Sequence, residues 1–143
     1  MASIHHEIVI AAPADVVWDV LRDIGAVHRR LLPGRVADTR LEGTGRVLTF
    51  PDGHVVREQI IEVDGDRRRL AYAVVEGARP AVEFHHATFE VRPEGPEGAA
   101  ASRLIWTTDV RPDSLAGLIR VRMEHGAREM KQAIEAAPTV HQD

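Results

Sequence analysis

The sequence contains no cysteine, so disulfide bonds, thiolate nucleophiles and cysteine-ligated metals are all excluded. It also lacks any stretch close to the roughly 20 apolar residues that a membrane-spanning helix needs. Near the N-terminus the apolar run from Ile8 to Ala12 has only five residues and follows no positively charged leader. We therefore expect neither a membrane span nor a signal peptide, and a soluble, cytoplasmic protein.

A large excess of charge of either sign is absent as well. The formal net charge is −4 and the sequence pI is about 6.1, which argues against nucleic acid or an anionic membrane surface as a partner. The 143 residues are 44% hydrophobic and 28% charged, which is typical of one globular domain spanning residues 1–143. Monomer and homodimer both remain open.

The hydrophobic pattern changes twice along the chain. A strand over residues 3–11 leads into a helix that begins near Pro13, and a second short helix is expected within 26–32. About six strand-like segments follow up to residue 111, separated by turn sequences such as Asp64-Gly65-Asp66. Hairpin-linked strands require an antiparallel sheet.

A long amphipathic helix is predicted over about 113–136, with Asp113 or Ser114 as its N-cap. Its apolar stripe must pack against one face of the sheet. The predicted architecture is therefore α+β, with seven antiparallel strands curling around one helix, and we expect the last residues, APTVHQD, to fray. The stripe consists of Leu115, Ile119, Met123, Met130, Ala133 and Ile134.

No motif for a metal or a nucleotide is present in the sequence. The adjacent histidine pairs His5-His6 and His85-His86 lie on predicted strands, so the two members of each pair point to opposite faces. Gly43-Thr44-Gly45 lacks the third glycine and the following helix of a dinucleotide-binding loop. We expect neither a metal nor a cofactor.

Several segments together are similar to one known superfamily. They are IVIAAPADVVWDVLRDI (8–24), EVDGDRRRLAYAVVEG (62–77), TFEVRPEG (88–95), SRLIWTTDV (102–110) and the terminal helix with Gly126. They resemble the helix-grip superfamily of START lipid-transfer domains, birch-pollen-allergen-like proteins and polyketide cyclase/dehydratases. The resemblance implies the helix-grip fold, with a cavity between the sheet and the long helix. It does not fix the activity, because this superfamily includes carriers, cyclases, hydrolases and regulators.

Two adjacent histidines, His85 and His86, lie within the predicted strand VEFHHATFEV (82–91) and face opposite sides of the sheet. Phe89 and Val91 are apolar positions of this strand, which places His85 on the core side and His86 on the solvent side. The apolar, even-numbered Phe84 favours the opposite orientation. A buried His85 is open to two interpretations, a hydrogen-bonded structural histidine and a catalytic group.

The same alternation selects further side chains that face the cavity. Strand 102–110 turns Trp106 and Thr108 inward, and strand 69–76 turns Tyr72 inward. For Tyr72 and Trp106, plain core packing is the alternative interpretation. Ile119 and Met123 of the long helix complete the apolar part of the lining.

The strand over residues 54–63 is ambiguous, because both of its faces carry apolar residues. If Ile61 and Val63 belong to the core, Arg57 points inward. If Val56 and Ile60 belong to the core, Glu58 does. We favour Ile61 and Val63 and keep both polar residues as candidates. The predicted ligand-binding set is Tyr72, Trp106, Thr108, Arg57, Glu58, Met123 and Ile119.

An apolar lining with a few polar groups is typical of a small-molecule pocket. Burial favours the neutral, basic form of an imidazole, so His85 is the candidate general acid–base residue. Our leading hypothesis is a protein that binds a hydrophobic or aromatic small molecule, as a polyketide cyclase/dehydratase-like lyase or cyclase.

Two alternatives remain, a non-catalytic carrier or sensor of a lipid or aromatic metabolite, and a protein-interaction module of the same fold. The state of the cavity separates them. A cavity filled by Trp106, Met123 and Met130 would indicate the interaction module. An open cavity with polar groups converging on one point would indicate the enzyme, and scattered polar groups the carrier.

Overall fold

The computed structural model describes residues 1–137 of the chain. The expected fraying of APTVHQD therefore concerns residues that, apart from Ala137, lie outside the described ones. In chain order the elements are β1 (Ala2–Ile10), α1 (Ala14–Leu21), a π-helical turn (Val27–Leu31), β2 (Asp38–Glu42), β3 (Gly45–Thr49), β4 (Val55–Asp64), β5 (Arg69–Glu76), β6 (Phe84–Pro93), β7 (Ser102–Arg111), a 3₁₀ turn (Asp113–Leu115) and α2 (Ala116–Ala136).

Within residues 1–137, seven strands form one sheet in the order β1-β7-β6-β5-β4-β3-β2, and every neighbouring pair is antiparallel. The first strand is therefore an edge strand beside the last. All other neighbours are consecutive in the chain and are joined by turns or loops. The curved sheet encloses the C-terminal helix, and the predicted α+β helix-grip architecture is confirmed.

Helix α2 buries one stripe against the sheet, because its apolar residues recur every three or four positions. A 3₁₀ turn precedes it, and no side-chain cap is present at its first turn, so the expected cap by Asp113 or Ser114 is wrong. Gly126 packs close to the ring of Trp106. A Cβ atom at this position would lie 3.2 Å from the Cζ3 atom of that ring. The buried stripe consists of Ile119, Met123, Gly126, Ala127, Met130 and Ile134.

Helix α1 covers one end of the sheet. Its backbone N–H groups at Val16 and Val17 bond to the carbonyl of Pro13, at 3.0 and 3.1 Å, so the helix begins where the sequence places it. Val17 and Leu21 are completely buried, and Trp18 is 7% exposed in the same cluster. This cluster anchors α1 and the π-helical turn against the sheet.

The favoured orientation of strand β4 is wrong. Ile61 and Val63 are 54% and 47% exposed, whereas Glu58 is 8% exposed and Val56 faces the interior. The physical reason lies on strand β3, where the buried guanidinium of Arg46 donates a 2.8 Å hydrogen bond to Glu58. A charge buried on one strand requires its counter-charge on the next, and this outweighs the burial of two apolar side chains at the strand end.

Among the described residues, the helices include none that combines the length and the apolar character required to cross a membrane.

Candidate functional site

A cavity of about 570 Å³ lies between the inner face of the sheet and helix α2. Strands β4 to β7 supply one wall, α2 supplies the other, and the turns around residues 35, 50–54 and 78–82 surround it. Most of the lining is apolar. The lining residues are Arg35, Phe50, Pro51, Asp52, His54, Val56, Val74, Ala78, Arg79, Pro80, Val82, His85, Trp106, Thr108, Leu115, Ile119, Arg122 and Met123.

The cavity wall includes two polar side chains on neighbouring strands. In the register of β6 and β7, His85 lies opposite Val110, and Thr108 lies opposite Ala87. His85 therefore shares the inner face with Ala87 and Phe89, which are buried. On the outer face of the same strand, His86 stacks on Phe84 with ring centroids 6.4 Å apart.

Two buried nitrogen atoms of the wall have no hydrogen-bond partner within residues 1–137, His85 Nδ1 and Trp106 Nε1. Buried polar atoms in folded proteins are nearly always paired, because an unpaired one loses its hydration without compensation. Both residues border the same cavity. Unpaired polar nitrogen atoms beside an apolar cavity are suited to a polar group of a bound molecule.

Burial lowers the pKa of His85 below its usual value of 6.5, and the nearby negative charge of Glu58 does not reverse the effect. The imidazole is therefore neutral at pH 7 and carries one N–H donor and one acceptor nitrogen. Such a group can accept a proton and return it within an apolar cavity.

A charged cluster lies behind this wall. Arg46 and Glu58 are 4% and 8% exposed and form an ion pair at 2.8 Å, and the Arg46 guanidinium lies 5.5 Å from the ring centroid of Tyr72. Burial, and secondly the charge of Glu58, raises the pKa of Tyr72, so the phenol remains protonated. The Tyr72 ring is 6.4 Å from that of His85 and 6.0 Å from that of Phe89.

The structure brings together five of the eight candidate site residues at the cavity. His85, Trp106, Thr108, Ile119 and Met123 line it. Tyr72 and Glu58 are buried beside it without lining it.

The expectation that Arg57 reaches the cavity is wrong. Its side chain lies on the other face of β4, where it pairs with Glu42 at 3.2 Å and with Glu76 at 3.5 Å. Neighbouring side chains of a strand point to opposite faces, so Arg57 and the buried Glu58 cannot both point towards the interior.

The sequence reasoning missed two groups of residues. Arg46 lies on β3 (GRVLT), where the neighbouring Val47 and Leu48 are both buried, so strand alternation does not single out its face. The polar residues at the cavity entrance lie on turns and on the flank of α2, and no periodic pattern marks them. They are Arg35, Asp52, Arg79 and Arg122.

Known proteins share both the fold and part of the sequence. S-norcoclaurine synthase from Thalictrum flavum subsp. glaucum is 27% identical over 94% of this chain and 77% of its own length. A crystal structure of norcoclaurine synthase from Thalictrum flavum, in complex with dopamine and hydroxybenzaldehyde, has a TM-score of 0.71 at 28% identity and covers 94% of this chain and 84% of that one.

A bacterial structure supports the same fold. An uncharacterised protein from Bacillus thuringiensis has a TM-score of 0.80 at 19% identity, covering 93% of this chain and 98% of that one. The resemblance to the helix-grip superfamily is thereby confirmed. A family model described as polyketide cyclase / dehydrase and lipid transport matches residues 1–138, and the chain belongs to this family.

Proposed function

We propose that this protein binds a hydrophobic or aromatic small molecule in the cavity between the sheet and α2. The observation that carries the proposal is the cavity itself, about 570 Å³ with a mostly apolar lining and the polar His85 and Thr108 in its wall. Small-molecule sites have this size and composition. The Thalictrum flavum structure with dopamine and hydroxybenzaldehyde supports an aromatic ligand, since both of those molecules are aromatic.

The proposed chemistry is that of a polyketide cyclase/dehydratase-like enzyme, with His85 as the general acid–base residue. In a dehydration, the neutral imidazole takes the proton α to a carbonyl and becomes an imidazolium. The electron pair of the broken C–H bond forms the new C=C bond, and the β C–O bond breaks. The leaving hydroxide takes the proton from the imidazolium and departs as water. In a cyclisation, the imidazole takes the proton from the α carbon, the carbanion left behind attacks a second carbonyl carbon to form the new C–C bond, and the imidazolium protonates the resulting alkoxide.

The second candidate is a non-catalytic carrier or sensor of a lipid or aromatic metabolite. It is favoured by the position of Tyr72 and Glu58, which are buried beside the cavity but do not line it. Fewer polar groups then converge on a ligand than an acid–base enzyme would use. An open cavity that Met130 does not line is less compatible with an interaction module.

Binding is tested with a neutral aromatic probe, 2-naphthol, by isothermal titration calorimetry. Ile119 lines the cavity and Leu118, its neighbour on α2, is 40% exposed, so Ile119→Trp and Leu118→Trp form a matched pair. Ile119→Trp should fill the cavity and weaken binding at least tenfold, and Leu118→Trp should bind as the unmodified protein does. Equal affinities for both variants, or no binding by the unmodified protein, would contradict the proposal.

Catalysis is tested with the N-acetylcysteamine thioester of 3-hydroxy-3-phenylpropionate, whose dehydration gives a strongly absorbing cinnamoyl thioester. If His85 is the acid–base residue, His85→Gln should lower the rate by about 10²–10⁴. His86→Gln, on the outer face of the same strand, should leave it unchanged. Binding of 2-naphthol without turnover of the thioester would favour the carrier.

A further inference from the structure

The entrance of the cavity carries three arginines. Of the residues that line the cavity, the solvent-exposed ones are Arg35, Pro51, Asp52, Arg79, Pro80 and Arg122, and we call this set the cavity mouth. Among the mouth residues, Asp52 provides the negative charge. The three guanidinium groups differ in how far neighbouring carboxylates compensate their charge.

The charge of Arg35 is compensated by the carboxylate of Glu129. Its Nε atom donates to both carboxylate oxygens of Glu129, at 2.9 and 3.1 Å, and its Nη2 atom donates to the same carboxylate. The contact lowers the pKa of Glu129, and the pKa of Arg35 is raised by it. A two-pronged pair of this kind leaves little attraction for a third charge.

Arg79 is compensated more loosely. Its Nη1 atom is 3.5 Å from Asp52, and both side chains are more than half exposed. Asp52 also accepts a 2.9 Å hydrogen bond from the backbone N–H of His54, which is the main reason why its pKa is lowered. The one mouth carboxylate is thus ionised and already shared between a turn and Arg79.

Arg122 has no carboxylate within ion-pair distance among the residues 1–137. Its Nη1 atom donates a 2.5 Å hydrogen bond to the backbone carbonyl of Arg79, and its guanidinium makes no other hydrogen bond to the part of the chain that the structure describes. Four of its five N–H donors are therefore available. On α2, Arg122 directly precedes Met123 and lies three residues after Ile119, both of which face the cavity interior.

We propose that the natural ligand is amphipathic, with an apolar body inside the cavity and a carboxylate at the mouth that binds Arg122. This inference rests on the proposed function and adds the chemical class of the ligand. The planar guanidinium matches a carboxylate with two parallel hydrogen bonds. The hydrogen bond from Arg122 to the backbone carbonyl of Arg79 holds the guanidinium at the mouth and leaves its other N–H groups for the carboxylate.

A monoanion fits the mouth better than a dianion. Arg35 is neutralised by Glu129 and Arg79 by Asp52, so the excess charge at the mouth is the single charge of Arg122. A carboxylate balances this charge. A phosphate or phosphonate dianion would bring a second negative charge next to Asp52, where it would be repelled.

The test compares three probes with one aromatic body. They are 1-naphthaleneacetate, its uncharged amide 1-naphthaleneacetamide, and 1-naphthylmethylphosphonate, each measured by titration calorimetry at about pH 8. The unmodified protein should bind the acetate more tightly than the amide and the phosphonate. In Arg122→Gln the acetate should lose about tenfold or more in affinity, while the amide should change little.

Arg120→Gln is the matched control, because Arg120 is an exposed arginine of the same helix that does not line the cavity. It should leave all three affinities unchanged, which excludes a general effect of charge. Raising the salt concentration should weaken the acetate more than the amide.

A failure of the carboxylate inference can be distinguished from a failure of the proposed function. If the amide binds as tightly as the acetate, or if Arg122→Gln weakens both equally, the carboxylate inference is overturned while cavity binding stands. If the phosphonate binds best, the carboxylate is the wrong anion. If neither the amide nor 2-naphthol binds, the proposed function fails and this inference fails with it.

Discussion

The guanidinium of Arg46 donates a 2.8 Å hydrogen bond to the carboxylate of Glu58, and neither side chain is more than 8% exposed. The two residues are direct partners in the register of β3 and β4. A second hydrogen bond, 3.4 Å long, joins Arg46 to the carbonyl of Ile24. This pair connects the sheet to the segment after α1 and fixes which face of β4 points inward.

Breaking this pair should be strongly destabilising. Arg46→Met leaves Glu58 as an uncompensated buried charge, and Glu58→Met does the same to Arg46. Each single replacement should lower the free energy of unfolding by about 3–5 kcal/mol, measured by urea denaturation.

The double variant, Arg46→Met with Glu58→Met, is the informative comparison. It removes both charges and fills the site with apolar groups, so it should be more stable than either single variant. A double variant whose loss equals the sum of the two single losses would show that the residues do not interact in the folded protein.

The orientation of β6 and β7 follows from sequence because most of the apolar side chains of each strand fall on one face. In β6, Phe89 and Val91 alternate with polar residues, and His85 falls in their series. Strand β4 is different, because both of its faces offer apolar side chains. Its orientation depends on Arg46, a residue 12 positions before Glu58 and on another strand. Periodicity within one strand cannot contain that information.

The mouth of the cavity could not be predicted for a related reason. Arg35, Asp52 and Arg79 come from three separate turns, and Arg122 comes from the flank of a helix. Their proximity results from the way in which the curved sheet and α2 bring these segments together. The inner wall, in contrast, follows from the periods of α2 and β7. Ile119 and Met123 are four residues apart on the helix, and Trp106 and Thr108 are two apart on the strand.

The partly buried His85 should make stability depend on pH. Burial lowers its pKa in the folded protein below 6.5, so the unfolded chain binds the proton more readily. As the pH falls from about 6.5 towards the folded-state pKa, the unfolded state gains protons first and the free energy of unfolding decreases. His85→Gln should therefore lose less stability than the unmodified protein between about pH 7.5 and pH 5.5, as measured by urea denaturation.

A direct measurement is available from the ring protons of the imidazole. In a ¹H–¹³C NMR titration, the His85 signals should change position below pH 6.5, the usual pKa of the residue. A midpoint above this value would mean that a negative partner, and not burial, dominates the environment of His85.

Met123 tests the packing of α2 against the sheet. Its side chain is 2% exposed and borders the cavity. Met123→Asp places a charge without a partner in this seam and should destabilise the protein by about 3 kcal/mol or more. Val121, on the same helix but 47% exposed, gives the control. Val121→Asp should change stability by less than about 1 kcal/mol, and equal effects of the two variants would disprove the packing of this face.

Gly126 tests how much space the cavity leaves to Trp106. A methyl group at this position would meet the ring at 3.2 and 3.3 Å, which requires the ring to shift by a few tenths of an ångström. Trp106 borders the cavity, so it has room to move. Alanine also favours the helix over glycine by about 1 kcal/mol. We therefore expect Gly126→Ala to change the free energy of unfolding by less than about 1 kcal/mol, measured by thermal and urea denaturation.

A larger side chain at the same position distinguishes the effect of limited space from the effect of helix propensity on stability. Gly126→Ile cannot be absorbed by a shift of the ring alone, and it should cost about 1–3 kcal/mol through overpacking. It should also displace Trp106 into the cavity and weaken the binding of 2-naphthol, whereas Gly126→Ala should affect binding less. If Gly126→Ala already destabilises the protein as much as Gly126→Ile, the ring has no freedom to move. Trp106 would then be a fixed part of the core, held by its stacking on Phe89 at 4.7 Å, and could not adapt to the ligand.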